Sequence, residues 1–140
     1  LERDAWVREL LVRAHARAAA DPALAMIAAR ITLVAADARE HLAAHAPVDV
    51  VLLDPMFPAK RKPDAKPPKA MQALAAVVGS DDDADADALL PLALRIAAQR
   101  VVVKRPRQAP PLANLQPAWK IEGKLLRFDV YRGMAAGPRA

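Results

Sequence analysis

Cysteine is absent from the sequence, which excludes a disulfide framework and a thiolate-held metal and fits a reducing cytoplasm better than secretion. Glycine is scarce. Its four residues stand at 79, 123, 133 and 137, so there is no glycine-rich loop of the kind that cradles a nucleotide-like cofactor. No apolar run approaches the roughly 20 residues that a membrane-crossing helix requires. Neither an initiator methionine nor a signal-peptide pattern precedes Leu1-Glu2-Arg3, and the opening reads as that of a piece cut from something longer.

What is present is a chain of 140 residues, 54% of them hydrophobic, enough for one domain with a substantial core. A formal charge of +5 and a pI near 10 favour an anionic partner, with nucleic acid the leading candidate.

The stretch around which the chain is organised is VDVVLLDPMFP, Val48 to Pro58. Val50 to Leu53 form an apolar run without polar alternation, the pattern of a strand buried on both faces of a parallel sheet. Asp54 falls where that strand ends, and in open α/β sheets ligands bind beyond the carboxyl ends of the strands. Pro55 and Pro58 stiffen the turn that follows. A carboxylate and a neighbouring main-chain carbonyl can both accept hydrogen bonds from an exocyclic amine while an aromatic side chain stacks on the ring that carries it. Asp54, Pro55 and Phe57 are the residues of that arrangement. The plainer alternative is a strand-to-loop turn capped by an Asp.

Taken in order, Asp4 caps an expected helix through about Ala20, and Asp21-Pro22 restarts the chain with a second short helix through Ala29. Arg30 to Ala36 reads as a strand closed by Asp37, and Ala38 to Ala46 as a helical link. Ala59 to Ala70 is a basic, proline-rich loop. Met71 to Val78 is an expected helix closed by Gly79, and Ala84 to Ala98 another. Arg100 to Val103 is an expected buried strand delivering Lys104 and Arg105. Trp119 to Lys124 and Leu125 to Tyr131 close the chain as two strands, a candidate antiparallel hairpin around Gly123. Alternating strands and helices define an α/β sheet of mainly parallel order.

DPMF resembles the [DNS]-P-P-[YF] signature of amino-methyltransferases that use S-adenosylmethionine. Leu-Glu-Arg at the start, VDVVLLDPMFP, KRKPDAKPPKAMQAL, the segment from Val77 to Leu90, RVVVKRPRQAPPLAN and GKLLRFDVYRG together resemble, in order, the RsmJ family of bacterial 16S ribosomal RNA (guanine-N2)-methyltransferases. The resemblance implies a Rossmann-like S-adenosylmethionine-dependent methyltransferase fold, incomplete at its N-terminus. Residues 1–140 would be the C-terminal portion of a single domain, without the family's first strand and glycine-rich cofactor loop. It implies Glu2, Arg3, Asp37, Ala38 and Asp54 as cofactor contacts, with Glu2 on the ribose hydroxyls. By analogy with the wider amino-methyltransferase group, Asp54 and the Pro55 carbonyl orient the guanine amine and Phe57 stacks the base. The implied partner is 16S ribosomal RNA or the small ribosomal subunit, with no membrane and no metal.

Two basic groups are expected to meet RNA phosphates, Lys60, Arg61 and Lys62 on the proline-rich loop and Lys104 and Arg105 at the neighbouring strand end. His41 and His45 share a helical face but lack a third ligand, and the Asp81 to Asp87 cluster lacks the spacing of a calcium loop. Trp6 and Trp119 are read as packing residues. Three other functions are compatible with parts of the sequence: a non-catalytic RNA-binding module, an amino-methyltransferase acting on another nucleic acid or on protein, and a P-loop NTPase. The last is weakened because no GxxxxGK[ST] occurs.

Overall fold

A computed structural model describes residues 1–55 and 83–135, arranged as two compact units, residues 1–41 and 42–140. Met56 to Asp82, which include Phe57, Lys60, Arg61, Lys62 and the expected helix at 71–78, lie outside the described residues.

The first unit is built on helix α1, Ala5–Ala20. Its start is set by Asp4, whose Oδ1 accepts from the backbone N–H groups of Trp6 and Val7 at 2.9 Å each, satisfying two of the orphan donors of the first turn. The second helix, α2, is shorter than expected, Ala25–Ala28. Ala28 is buried, and its carbonyl lies 3.0 Å from His15 Nε2 on α1. So short a helix leaves most of α1 uncovered. Trp6, expected to pack, is 72% exposed. The expected strand at Arg30–Ala36 carries no ladder: one bond, from Glu2 N–H to the Val34 carbonyl at 3.0 Å, joins it to the chain start. A β-prone run becomes a strand only where neighbours supply partners for its backbone groups. Helix α3, Ala38–Ala44, follows at Asp37 as the sequence predicts.

Among the described residues, the second unit holds a four-stranded mixed sheet. Strand β1 is Val48–Leu53, β2 Ala97–Pro106, β3 Trp119–Glu122 and β4 Leu126–Arg132, in the order β1-β2-β4-β3. β1 and β2 are parallel, joined through helix α4, Asp83–Ile96, while β4 runs antiparallel to both β2 and β3. The closing hairpin is therefore present, with Gly123 N–H donating to the Leu126 carbonyl at 2.8 Å in its turn. β2 is longer than Arg100–Val103 because β4 pairs with it as far as Pro106.

One face of this sheet is the core. Val51 and Leu53 of β1, Val101 and Val103 of β2, and Tyr131 of β4 pack with Leu90 and Ala93 of α4, Leu42 and Leu112. Alternation sends Val50 and Leu52 to the other face, where they are 44% and 64% exposed, so β1 is not buried on both faces as its unbroken apolar run predicts. Trp119, on edge strand β3, is likewise exposed rather than packed. Ala113 and Asn114 adopt left-handed backbone conformations, φ 51° and 54°, at the 3-10 turn Leu112–Asn114. That unfavourable backbone is anchored by Asp87 of α4, whose Oδ1 accepts from Ala113 N–H at 2.5 Å.

A buried charge cluster closes the core face. Arg105 stands directly opposite Arg127, and Val103 opposite Asp129. Arg105, Arg127 and Asp129 are 3%, 4% and 0% exposed. Arg127 forms a bidentate pair with Asp129, Nε to Oδ1 at 2.7 Å and Nη2 to Oδ2 at 2.9 Å, and its Nη1 donates to the Arg107 carbonyl at 2.6 Å. The Asp129 carboxylate holds the Arg127 guanidinium pKa above its usual value. Arg105 donates to the Pro110 carbonyl through Nε and Nη2, at 3.3 and 3.1 Å. Two guanidiniums thus face each other across neighbouring strands, held by one carboxylate and by loop carbonyls. Burial also pushes the Tyr131 hydroxyl up to about 12, and that hydroxyl donates to the Leu115 carbonyl at 3.2 Å.

Removing the carboxylate charge takes from the buried Arg127 guanidinium its bidentate partner. Asp129→Asn is expected to cost roughly 3–5 kcal/mol, the scale for breaking a buried ion pair by loss of one partner. Denaturant unfolding of the variant beside the unsubstituted protein measures it; a change below about 1 kcal/mol, the range of exposed pairs, would contradict it.

Candidate functional site

The candidate site residues divide between the two units, and each group is built by its own local structure. In the first unit, Glu2 and Asp4 are adjacent on the segment that leads into α1. Glu2 Oε1 accepts from the Asp4 N–H at 2.8 Å, and the Glu2 N–H is held by Val34. Asp37 performs for α3 what Asp4 performs for α1: its Oδ1 accepts from the Arg39 N–H at 2.8 Å. Arg3 Nη1 lies 3.3 Å from Asp37 Oδ2, and the Arg39 guanidinium reaches both Asp37 oxygens at 3.3 Å. These contacts, Arg39 foremost, bring the Asp37 carboxyl down to about 2. Arg3 and Asp37, expected separately as cofactor contacts, are thus brought together, with Ala38 as the first residue of α3.

In the second unit the register of β1 on β2 decides the geometry. Leu53 pairs with Val103, so Asp54, just past the carboxyl end of β1, lies level with Lys104, which is still within β2. Lys104 Nζ lies 2.9 Å from Asp54 Oδ2, with the side chains 30% and 53% exposed. Pro55 follows, partly buried, and the described segment ends there.

Of the two strand-end cations expected to meet RNA, Arg105 is corrected. Strand alternation turns it into the core face, where its guanidinium serves the Pro110 carbonyl, so it presents no surface charge. Lys104, on the opposite face, directs its ammonium to Asp54. Reading the two strands separately misses this pairing, although the endings LLD and VVK carried it once a parallel, level pairing was assumed. The Arg127-Asp129 pair was visible as two polar residues spaced by two within an apolar strand. Among the described residues no three His, Asp or Glu side chains are grouped to hold a metal ion, and no helix is long and apolar enough to cross a membrane.

Chemically, the site residues are hydrogen-bond acceptors. Glu2 and Asp54 each commit one oxygen to a protein donor and suit ligands that present hydroxyl or amino hydrogens, as a ribose diol and an exocyclic amine do. Asp37 is more fully engaged, by the Arg39 N–H and two guanidiniums. A mixed α/β sheet with a carboxylate just past the end of a parallel strand and a closing antiparallel hairpin is consistent with the Rossmann-like methyltransferase fold.

Comparison with known proteins agrees. The family described as "Putative SAM-dependent methyltransferase" matches residues 1–133, and the chain belongs to that family. It is 47% identical over 131 residues to ribosomal RNA small subunit methyltransferase J of Cellvibrio japonicus, covering 91% of this chain and 48% of that protein. To the protein of the same name from Laribacter hongkongensis it is 50% identical over 133 residues, covering 94% and 46%. Among solved structures, the SAM-dependent methyltransferase from Neisseria gonorrhoeae superposes with a TM-score of 0.72 at 36% identity, over 94% of this chain and 50% of that one. The chain spans about half the length of the curated relatives it matches.

The Asp37 ion pairs carry a pH signature. A carboxyl whose pKa falls on folding contributes stability that is complete above its unfolded value of 3.8 and is lost as pH falls toward about 2. The difference in melting temperature between the unsubstituted protein and Asp37→Asn is therefore expected to stay constant from about pH 8 to 5 and to shrink between about pH 4 and 2. A difference that shrinks near neutral pH would contradict the assignment.

Proposed function

We propose that this chain is the C-terminal portion of a methyltransferase domain that methylates the exocyclic N2 amine of a guanine in 16S ribosomal RNA with S-adenosylmethionine. The observation that carries the reading is Asp54: a carboxylate at the carboxyl end of a parallel strand, followed by a proline, in a chain whose curated relatives are named for small-subunit ribosomal RNA methylation. Glu2, Arg3, Asp37 and Ala38 are the residues proposed to contact the cofactor, with Glu2 accepting from the ribose hydroxyls. Asp54 is proposed to contact it too.

When bound, S-adenosylmethionine supplies a methyl group on a sulfonium sulfur, which departs as a neutral thioether with the electrons of the broken S–C bond. The protein's work is then positional. A guanine N2 is a poor nucleophile because its lone pair is delocalised into the ring. Asp54 and the Pro55 carbonyl, by accepting from its two N–H groups, would hold that lone pair in line with the methyl group. The amine loses a proton after the N–C bond has formed, so Asp54 serves as an orienting acceptor and no covalent intermediate is required. Reaching N2 takes the base out of any stack at a cost of a few kcal/mol, which Phe57 stacking would offset. Lys60, Arg61 and Lys62 are proposed to meet RNA phosphates.

Asp54→Ala in the native-length protein separates this reading from a non-catalytic RNA-binding module. Methyl transfer to 16S RNA is expected to fall by about 100-fold or more, with RNA affinity unchanged. Binding of 16S RNA by the unsubstituted protein without any methyl transfer would establish the binding module instead.

A further inference from the structure

We infer that Lys104 is a positioning residue for methyl transfer, holding the Asp54 carboxylate in the orientation that receives the substrate amine, and is not an RNA-phosphate contact. The inference rests on the methyltransferase reading above. Three observations carry it.

The two side chains are neighbours by construction. Because Leu53 pairs with Val103 in a parallel ladder, the residue after each, Asp54 beyond the end of β1 and Lys104 within β2, stands at the same level. Alternation from the buried Val103 and Arg105 turns Lys104 to the face opposite α4, the same face as Leu52 and Asp54. The 2.9 Å contact thus follows from strand register, not from a chance meeting of flexible chains.

The two partners also differ in how firmly they are held. Asp54 is past the end of β1, on the turn that leads to Pro55, and is half exposed. Lys104 is inside β2, with its backbone opposite Phe128 of β4, and is the more covered of the two. A half-exposed carboxylate past the strand end is therefore tethered to a side chain whose backbone is paired in the sheet, the arrangement by which a supporting residue limits the rotamers of a functional one.

The bond is also selective between the two oxygens. Lys104 takes Oδ2, and among the described residues no other donor reaches Asp54. Oδ1 is left as the acceptor, in an orientation fixed before substrate arrives. A single half-exposed ion pair contributes little to stability, so its removal is expected to be visible in catalysis and not in folding.

The test is a double-substitution cycle on Lys104 and Asp54 in the native-length protein, with methyl transfer and RNA binding both read. Lys104→Met is expected to lower kcat by about tenfold, with the RNA affinity unchanged. Lys104→Arg, which keeps a donor at the strand end, is expected to recover most of the loss. In an Asp54→Asn background Lys104→Met is expected to add nothing, because a residue that acts through another has no separate effect once the other is gone. A phosphate-contacting lysine would behave differently, weakening RNA binding and lowering the slope of log affinity against log salt by about one. That result would overturn the inference, as would an unchanged or raised kcat in Lys104→Met, while methylation by the unsubstituted protein would leave the wider reading intact. Absence of methylation by the unsubstituted protein would remove both.

Discussion

The parallel pairing of β1 with β2 is the constraint on which the second unit depends. From Val50 opposite Arg100 to Leu53 opposite Val103 the two strands run level, after an irregularity near Val48 that absorbs one extra residue of β2. This single register fixes two things. It aligns Val51, Leu53, Val101 and Val103 on one face, where α4 and Leu112 can cover them, and it sets Asp54, just past the end of β1, level with Lys104 of β2. A slip of one residue would invert every side chain and carry Asp54 to the core side. Core packing and the placement of the carboxylate are consequences of the same ladder.

Strand β4 secures that ladder from the other side. Its pairing extends β2 to Pro106, and its alternate residues Arg127, Asp129 and Tyr131 continue the core face as a polar cluster in place of an apolar layer. Burying two guanidiniums beside one carboxylate is costly unless their hydrogen bonds are satisfied, and here the carbonyls of Arg107 and Pro110 complete them. The cluster thereby ties the loop after β2 to the end of the sheet. Beyond β4, Gly133 donates to the Gln99 carbonyl at 2.9 Å, and a side chain at that position would strike the Ala97 carbonyl. Close passage of the backbone over the start of β2 requires a glycine there.

Much of this was legible in the sequence. The apolar run ending at Asp54, the Asp4 cap, the helix before the second parallel strand and the closing hairpin all follow from local pattern, and the ordered resemblance to the RsmJ family agrees with the family to which the chain belongs. The misreadings have a common physical origin. Arg30–Ala36 has the composition of a strand, but strands need partners that a local pattern cannot supply. Val50, Leu52, Trp6 and Trp119 are apolar, but burial depends on what another element places over them. Arg105 looks like a surface cation because charge is read without the strand phase that turns it inward beneath the Pro110 loop. The Lys104–Asp54 pairing escapes a local reading for a similar reason, since the two residues lie 50 apart in the chain. Sequence pattern reports local geometry well and cross-strand partnership poorly.

The proposal that Glu2 and Asp54 of this chain contact S-adenosylmethionine is tested most directly by cofactor binding. Calorimetric titration of S-adenosylmethionine into the native-length protein, with Glu2→Gln beside it, is expected to show one-site binding that the substitution weakens by about tenfold, the scale of one charge-assisted hydrogen bond. A folded native-length protein that takes up no S-adenosylmethionine would contradict the account.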